Sequence, residues 1–115
     1  MSGAHRHSPA ALADGFASAM DAAMNRMMRD MHAAAPTGDA DRDFLAMMIP
    51  HHQGAVDMAA LVLRHGRDPL VRQLAEGIIA GQAVEIAAMR ARLALLATSG
   101  PNETFPAMGG TRGPG

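Results

Sequence analysis

The stretch MMIPHHQGAVDMA, residues 47–59, contains three methionines and two adjacent histidines around a single proline. Such a segment is either a helix core that happens to be rich in methionine or the centre of a binding site. Methionine is a flexible filler of protein cores, and its thioether is also a soft ligand that suits Cu(I). The choice depends on which residues of other helices lie level with this stretch.

The composition favours an all-helical protein. Of the 115 residues, 49% are hydrophobic but only 3% are aromatic, with neither Trp nor Tyr. Strands favour Val, Ile, Thr and aromatic residues, and few of these occur here. A chain of this length suffices for one domain and not for two. We therefore expect one all-α domain.

Charge and hydropathy argue against two classes of partner. The net charge is −1 with neutral histidines, so nothing indicates binding to a nucleic-acid backbone. No apolar run approaches the roughly 20 residues that span a bilayer. The absence of Cys rules out disulfides and thiolate metal sites. The first residues lack the apolar segment of a signal peptide, so a trimmed exported form and a cytoplasmic protein both stay open.

The apolar periodicity predicts three long helices joined by short turns, and short connections make neighbouring helices antiparallel. We expect a small helical bundle domain over residues 9–97, between a flexible arm at 1–8 and a Gly/Pro-rich flexible tail at 98–115. The helices are predicted to run from about Pro9 to Ala35, from about Ala40 to His65 and from about Pro69 to Ala97.

Local signals mark the helix ends and one irregularity. Asp39 or Asp41 can cap the second helix, Asp68 can cap the third, and Gly66 is a natural left-handed stop for the second. Pro50 lies inside the second helix, where it removes one backbone hydrogen bond and clashes with the preceding turn. We expect this helix to be kinked at Pro50 or to restart there.

The predicted helix faces carry polar groups in unusual places. In the second helix, His51 and His52 flank an apolar line whose members are Phe44, Met48, Ala55, Ala59 and Val62. In the third helix, the apolar line comprises Val71, Leu74, Ile78, Met89 and Leu96, and Gln82 and Glu85 occupy its centre. A buried carboxylate needs a cation or a proton donor.

Antiparallel packing brings these features to one level, because all α-helices rise equally per residue. His51 and His52 come level with about Gln82 and Ala83, and Met48 comes level with about Ile86. On the other side, Met20 and Met24 straddle the level of the two histidines, and Met27 is level with Met47. The candidate metal ligands at this level are therefore Met20, Met24, Met27, Met47, Met48, His51, His52, Glu85 and Met89.

The chemistry of this set suits a soft metal ion. Thioethers and imidazoles suit Cu(I), and Ag(I) by the same softness. Gln82 and Glu85 could orient the second ring nitrogen of a ligating histidine. Adjacent histidines on a helix point about 100° apart, so the two are not expected to bind one ion without distortion. A metal-free core, in which a histidine simply hydrogen-bonds a buried glutamate, fits the same residues.

Three motifs together resemble the DUF305 family. They are the Asp-x-x-Phe of Asp41 and Phe44, the Met-Ile-x-His-His-x-x-Ala-x-x-Met-Ala of residues 48–59, and the Ile-Ile-x-x-Gln-x-x-Glu-Ile-x-x-Met of residues 78–89. The resemblance covers roughly residues 12–97. It implies a ferritin-like helical bundle, usually periplasmic or secreted, that is associated with copper binding and with copper or silver tolerance.

The resemblance also indicates a site region, made of the matching residues Met48, His51, His52, Met58, Gln82, Glu85 and Met89. One departure is visible, since family members often have Trp where Arg92 stands.

Three functions stay open. The first is sequestration or handover of Cu(I) without catalytic turnover, in copper homeostasis or tolerance. The second is a ferritin-like di-iron oxidase, which would need several core carboxylates and Glu-x-x-His pairs; the sequence has no such pair, so we do not expect an enzyme. The third is a metal-free interaction module, in which exposed edges of the bundle pair with a second copy, as a homodimer or higher homo-oligomer, and complete a four- or six-helix core.

Overall fold

The computed structural model describes residues 9–98, with side chains from residue 15. It contains three helices: α1 Pro9–Ala33, α2 Ala40–His65 and α3 Pro69–Thr98. Residues 9–98 contain no strand, so the all-α prediction is confirmed, and the helix ends agree with prediction to within two residues. The predicted arm, and the predicted tail beyond its first residue, lie outside the described residues. None of the three helices has the length and hydropathy needed to cross a membrane.

The central helix of the fold is α2. It packs against α1 on one side and against α3 on the other, whereas direct contacts between α1 and α3 are few. Gly54 faces α1 and His52 faces α3, and two positions on a helix that are two residues apart point in nearly opposite directions. The three helices therefore form one layer with two broad faces.

The connection between α1 and α2, residues 34–39, is held by two carboxylates. Asp43 accepts hydrogen bonds from the backbone N–H and the hydroxyl of Thr37, both at 2.8 Å, and from the N–H of Gly38 at 3.1 Å. The backbone N–H of Thr37 contributes most to lowering the pKa of Asp43 below its usual value. Of the two predicted caps, Asp39 is the one that caps α2, and it accepts a hydrogen bond from the N–H of Asp41.

The connection between α2 and α3 is shorter and more tightly anchored. Asp68 caps α3, as predicted, by accepting a hydrogen bond from the N–H of Val71 at 2.9 Å. The guanidinium of Arg72 donates to the carbonyl oxygens of Leu63 and Gly66. These bonds satisfy carbonyl groups at the end of α2 that have no partner within the helix.

Gly66 ends α2, but the prediction of a left-handed stop was wrong. Its φ of −81° and ψ of 159° are extended, and its N–H donates to the carbonyl of Val62 at 2.6 Å. A Cβ at this position would lie 2.7 Å from that same carbonyl oxygen. Glycine therefore permits a close backbone approach here.

The second helix continues through Pro50 without interruption. Of the two predicted alternatives, a restart is therefore excluded, and a kink stays a prediction. Because proline has no N–H, the carbonyl of Ala46 lacks its usual helical donor one turn before the histidines.

The buried apolar residues of the described part of the chain are few: Ala23, Ala59, Ala75, Ile86 and Leu96. In α3, the buried residues and the partly buried residues Ile79, Gln82, Met89 and Leu93 together recur every three or four positions, a spacing that is typical of a coiled-coil seam. This seam packs against α2.

The predicted core line of α3 was wrong in part. Gln82, Met89 and Leu96 do lie on the seam, but Val71, Leu74 and Ile78 are exposed. The reason is that α3 is the least amphipathic of the three helices and carries apolar residues on more than one face. Periodicity alone therefore could not identify the face that meets α2.

Candidate functional site

His52 links α2 to α3. Its Nδ1 lies 3.0 Å from the carbonyl oxygen of Met48, and its Nε2 lies 2.7 Å from Oε1 of Glu85. A carbonyl oxygen can only accept, so Nδ1–H donates to it, and Nε2 is hydrogen-bonded to the carboxyl group. Both ring nitrogens are therefore occupied. His52 could bind a metal ion only after one of these two hydrogen bonds was broken.

Glu85 differs from the buried acid that the sequence predicted. Its side chain is 60% exposed, whereas the side chain of His52 is 19% exposed. The carboxyl group reaches the histidine from the rim of the α2–α3 contact. A histidine hydrogen-bonded to a glutamate is the metal-free arrangement that the sequence left open.

His51 has a different environment from its neighbour. The two rings are 6.0 Å apart between centroids and inclined at 59°, in keeping with the 100° between successive helix positions. His51 is exposed, and within residues 9–98 its ring nitrogens have no hydrogen-bond partner. It is therefore the histidine of the pair whose nitrogen lone pair is available to a ligand.

The alignment of α1 on α2 differs from prediction. The side chain of Met27 packs so closely on Gly54 that a Cβ at Gly54 would overlap it, and Arg26 forms an ion pair with Asp57 at 3.6 Å. Met27 is therefore level with Gly54, about two helical turns beyond Met47. The prediction that Met27 is level with Met47 was wrong.

This displacement arises from the connection before α2. The predicted alignment assumed a tight reversal near Thr37, but residues 34–39 run beside the first turns of α2, where Thr37 is tied to Asp43. As a result, Met20 and Met24 lie about two turns farther along α2 than predicted and do not straddle the histidines. Met31, which is partly buried, takes the level of His51.

The alignment of α2 on α3 is close to prediction. His52 meets Glu85 rather than Gln82, a difference of about one turn. At the far end of the pair, the guanidinium of Arg42 donates to the carbonyl oxygen of Leu96 at 2.6 Å. By this alignment, Met48 is level with Met89.

One broad face of the layer is apolar, and we call it the open face. Met20, Met58 and Ile78, one from each helix, line a trough on it with a volume of about 310 Å³. Helical periodicity extends this face along α2 past His51. The open face comprises Met20, Met24, Phe44, Met47, Met48, His51, Ala55, Met58, Val62, Val71, Leu74 and Ile78.

The opposite face of the layer is more polar. Its groove between α1 and α2 is lined by alanines together with Arg26, Asp57 and Arg64. Charged side chains therefore border this groove, while the trough of the open face has a wholly apolar lining.

The predicted ligands thus fall into three groups. Met20, Met24, Met47, Met48, Met58 and His51 belong to the open face; Met27 and Met89 lie at helix contacts beside it; His52 and Glu85 bind each other. Gln82 does not orient a histidine, because its Oε1 is buried and has no hydrogen-bond partner among the described residues. The sequence-based set missed Met31, whose place could have been found only by foreseeing the course of residues 34–39.

Among the side chains of residues 15–98, no three His, Asp or Glu groups come together in a way that could hold a metal ion. The open face instead groups methionine thioethers with the imidazole of His51. Thioethers select soft ions, whereas Zn(II) and iron sites in proteins generally combine imidazole with carboxylate or thiolate ligands.

Two comparisons place the chain among known sequences. It is 40% identical over 53 residues to an uncharacterized protein of Acanthamoeba polyphaga mimivirus, and the match covers 46% of this chain and 35% of the viral protein. The chain therefore spans about a third of the length of this curated relative. Residues 2–93 match a family model described as a domain of unknown function, DUF305. Because that match covers most of the 115 residues, this protein belongs to the DUF305 family.

Proposed function

We propose that the protein binds Cu(I), for which Ag(I) can substitute, and that it sequesters the ion or hands it on without chemical turnover. The proposal is supported most directly by the contrast between the paired histidines. His52 uses both ring nitrogens within the fold, while His51 stands exposed on a face rich in thioethers. An imidazole among thioethers is a ligand set that suits a soft monovalent ion.

The donors nearest to His51 follow from the helix geometry. Met47 and Met48 precede it by four and three residues, so they lie on the same side of α2. The contact between Met27 and Gly54 places Met27 level with the turn of α2 that follows His51. Met31, one turn earlier along α2, is then level with His51 itself. We assign these four thioethers and the imidazole of His51 to the proposed site.

Met20, Met24 and Met58 lie farther along the same face. Met20 and Met58 line the trough, at the level of the last turns of α2. We propose that they form a second, weaker group of thioether donors, and that Met89 supports Met48 from the α3 side. A succession of donors of similar softness would allow an ion to pass along the face.

The proposal is tested by titrating the metal-free protein with Ag(I) against a competing chelator, and with Cu(I) under reducing conditions. Replacing His51 by Ala is expected to weaken binding by roughly tenfold or more, which corresponds to about 1.4 kcal/mol. His65→Ala is the matched control, because His65 lies four helical turns away and contacts Phe16 instead. Equal affinity in the two variants, or Zn(II) binding with no uptake of Ag(I), would contradict the proposal.

Methionine-to-leucine variants separate thioether chemistry from packing, because the two side chains have similar volume. The triple replacement of Met31, Met47 and Met48 by Leu is expected to lower Ag(I) affinity and to leave the helical circular dichroism unchanged. The corresponding replacement of Met20, Met24 and Met58 should have a smaller effect. If the first triple variant binds Ag(I) as tightly as the original chain, the thioethers of Met31, Met47 and Met48 are not ligands.

We also propose that the protein acts in the periplasm or outside the cell, as its resemblance to DUF305 proteins implies. Fractionation of the native host, with detection of the protein by antibody, tests it. Recovery in the cytoplasmic fraction alone would contradict it.

A further inference from the structure

The open face leaves large apolar side chains uncovered. Phe44 and Leu74 are each 59% exposed, Val71 is 47% exposed and Ile78 is 44% exposed. The buried residues of the described part of the chain are mostly alanines, and none of its large side chains is fully buried. Helices normally bury an apolar stripe against a second layer, so the single layer lacks a packing partner on this side.

The open face has the dimensions of a protein interface. A helix of 26 residues such as α2 is about 39 Å long, and neighbouring axes lie roughly 8–10 Å to each side, which together give roughly 700 Å². Stable complexes bury about 800 Å² on each partner. Contiguous apolar patches of more than a few hundred Å² are rare on monomers and mark sites of interaction.

We propose that the open face is covered by the same face of a second copy of this chain, giving a dimer of two layers and six helices. The open face is apolar apart from His51, with the carboxylate of Glu85 at its α3 edge, where it is bound to His52. Such a surface is complementary to itself, and a two-fold axis brings the same patch of both copies together. The charged groups Arg26, Asp57 and Arg64 border the other face and would stay in solvent. The contact uses a broad face, not the edges of the bundle that the sequence suggested.

Residues 1–8 and 99–115 offer too little apolar surface to cover this face. Residues 1–8 and 99–115 contain three large apolar residues, which are Met1, Phe105 and Met108. The open face presents many more, drawn from three helices. A second copy supplies an equal number of apolar side chains in the same arrangement. His51 lies near the middle of α2 and hence near the centre of the contact, but the association is inferred for the metal-free chain and does not depend on the proposed function.

Sedimentation equilibrium of the full metal-free chain, with a chelator present, tests the inference. The expected mass is that of a dimer, dissociating on dilution. Leu74→Glu and Ile78→Glu each place an unpaired charge in the contact and should weaken association by roughly 100-fold or more. Because both side chains are already exposed in the single layer, helical circular dichroism should be retained.

A matched control lies on the outer side of the same helix. Val84 is 71% exposed and does not belong to the open face. Val84→Glu should leave the dimer intact. A monomeric original chain would overturn the inference, as would dissociation by Val84→Glu but not by Leu74→Glu. A chain that becomes dimeric only after removal of residues 99–115 would show that this segment covers the face, and would also overturn it.

Discussion

The two helix contacts of this protein are held by different means. Between α1 and α2, the closest approach is a methionine side chain lying over a glycine, with one ion pair beside it. Between α2 and α3, directional bonds act at both ends and in the middle, from Arg72, Arg42 and His52. The first contact depends on shape and the second on hydrogen bonds. This difference determines how each should respond to substitution.

The largest effect is expected at the contact between α1 and α2. Gly54→Val forces Met27 out of place, and overpacking of this kind typically costs about 1–3 kcal/mol. The free energy of unfolding, measured with urea, should fall accordingly. Adding Met27→Ala to the valine variant should recover part of the loss, since the two side chains compete for one space.

Gly77→Ala is the control for that experiment. A Cβ at Gly77 meets nothing within 4 Å, so alanine should raise stability by roughly 0.5–1 kcal/mol through its higher helix propensity. If Gly54→Val were no more destabilising than Gly77→Val, α1 would not be held by the shape of this contact.

A smaller effect is expected at the contact between α2 and α3. Glu85→Gln removes the carboxylate that His52 meets, and the exposure of Glu85 limits the loss of stability to about 1 kcal/mol. A double-mutant cycle with His52→Ala should yield a coupling energy of the same size. A coupling energy near zero would mean that the two arginines hold α3 without help from the histidine.

The smallest effect is expected at Asp43, which holds the connection before α2. Hydrogen bonds from Thr37 lower the pKa of Asp43 in the folded chain, so its ionised form favours folding. This contribution should be complete above the ordinary value of 3.8 and should be lost as the pH falls through the lower folded-state pKa. Asp43→Asn should therefore be less stable than the original chain at pH 6, and the difference should be smaller at pH 3. A difference that is the same at both pH values would assign the effect to something other than ionisation.

The same comparison explains what the sequence could predict. The helices were predictable because Pro9, Asp39, Asp68 and Gly66 mark their ends, and the three-residue link that begins at Gly66 allows α3 little freedom. The link before α2 contains six residues, and its path depends on how Asp43 binds Thr37. The apolar periodicity does not indicate the path of this link. For that reason, the prediction of which α1 methionines lie level with His51 was wrong.

The roles of the paired histidines were also only partly predictable. Their divergence by 100° follows from helix geometry, so one had to face a neighbour and the other had to face elsewhere. Which of them met Glu85 depended on the face of α3 that packs on α2. Because α3 has apolar residues on several sides, its sequence does not indicate which face packs against α2.

Gly54 is the one glycine in α2, and the missing side chain there has a consequence beyond packing. Because Met27 packs into this gap, the contact fixes how α1 is aligned along α2. A side chain at position 54 would displace the thioether of Met27, a proposed ligand, without replacing any donor group. A Gly54→Ala variant would keep every histidine and methionine of the chain. Its affinity for a metal ion would still differ, because the methyl group changes the position of Met27.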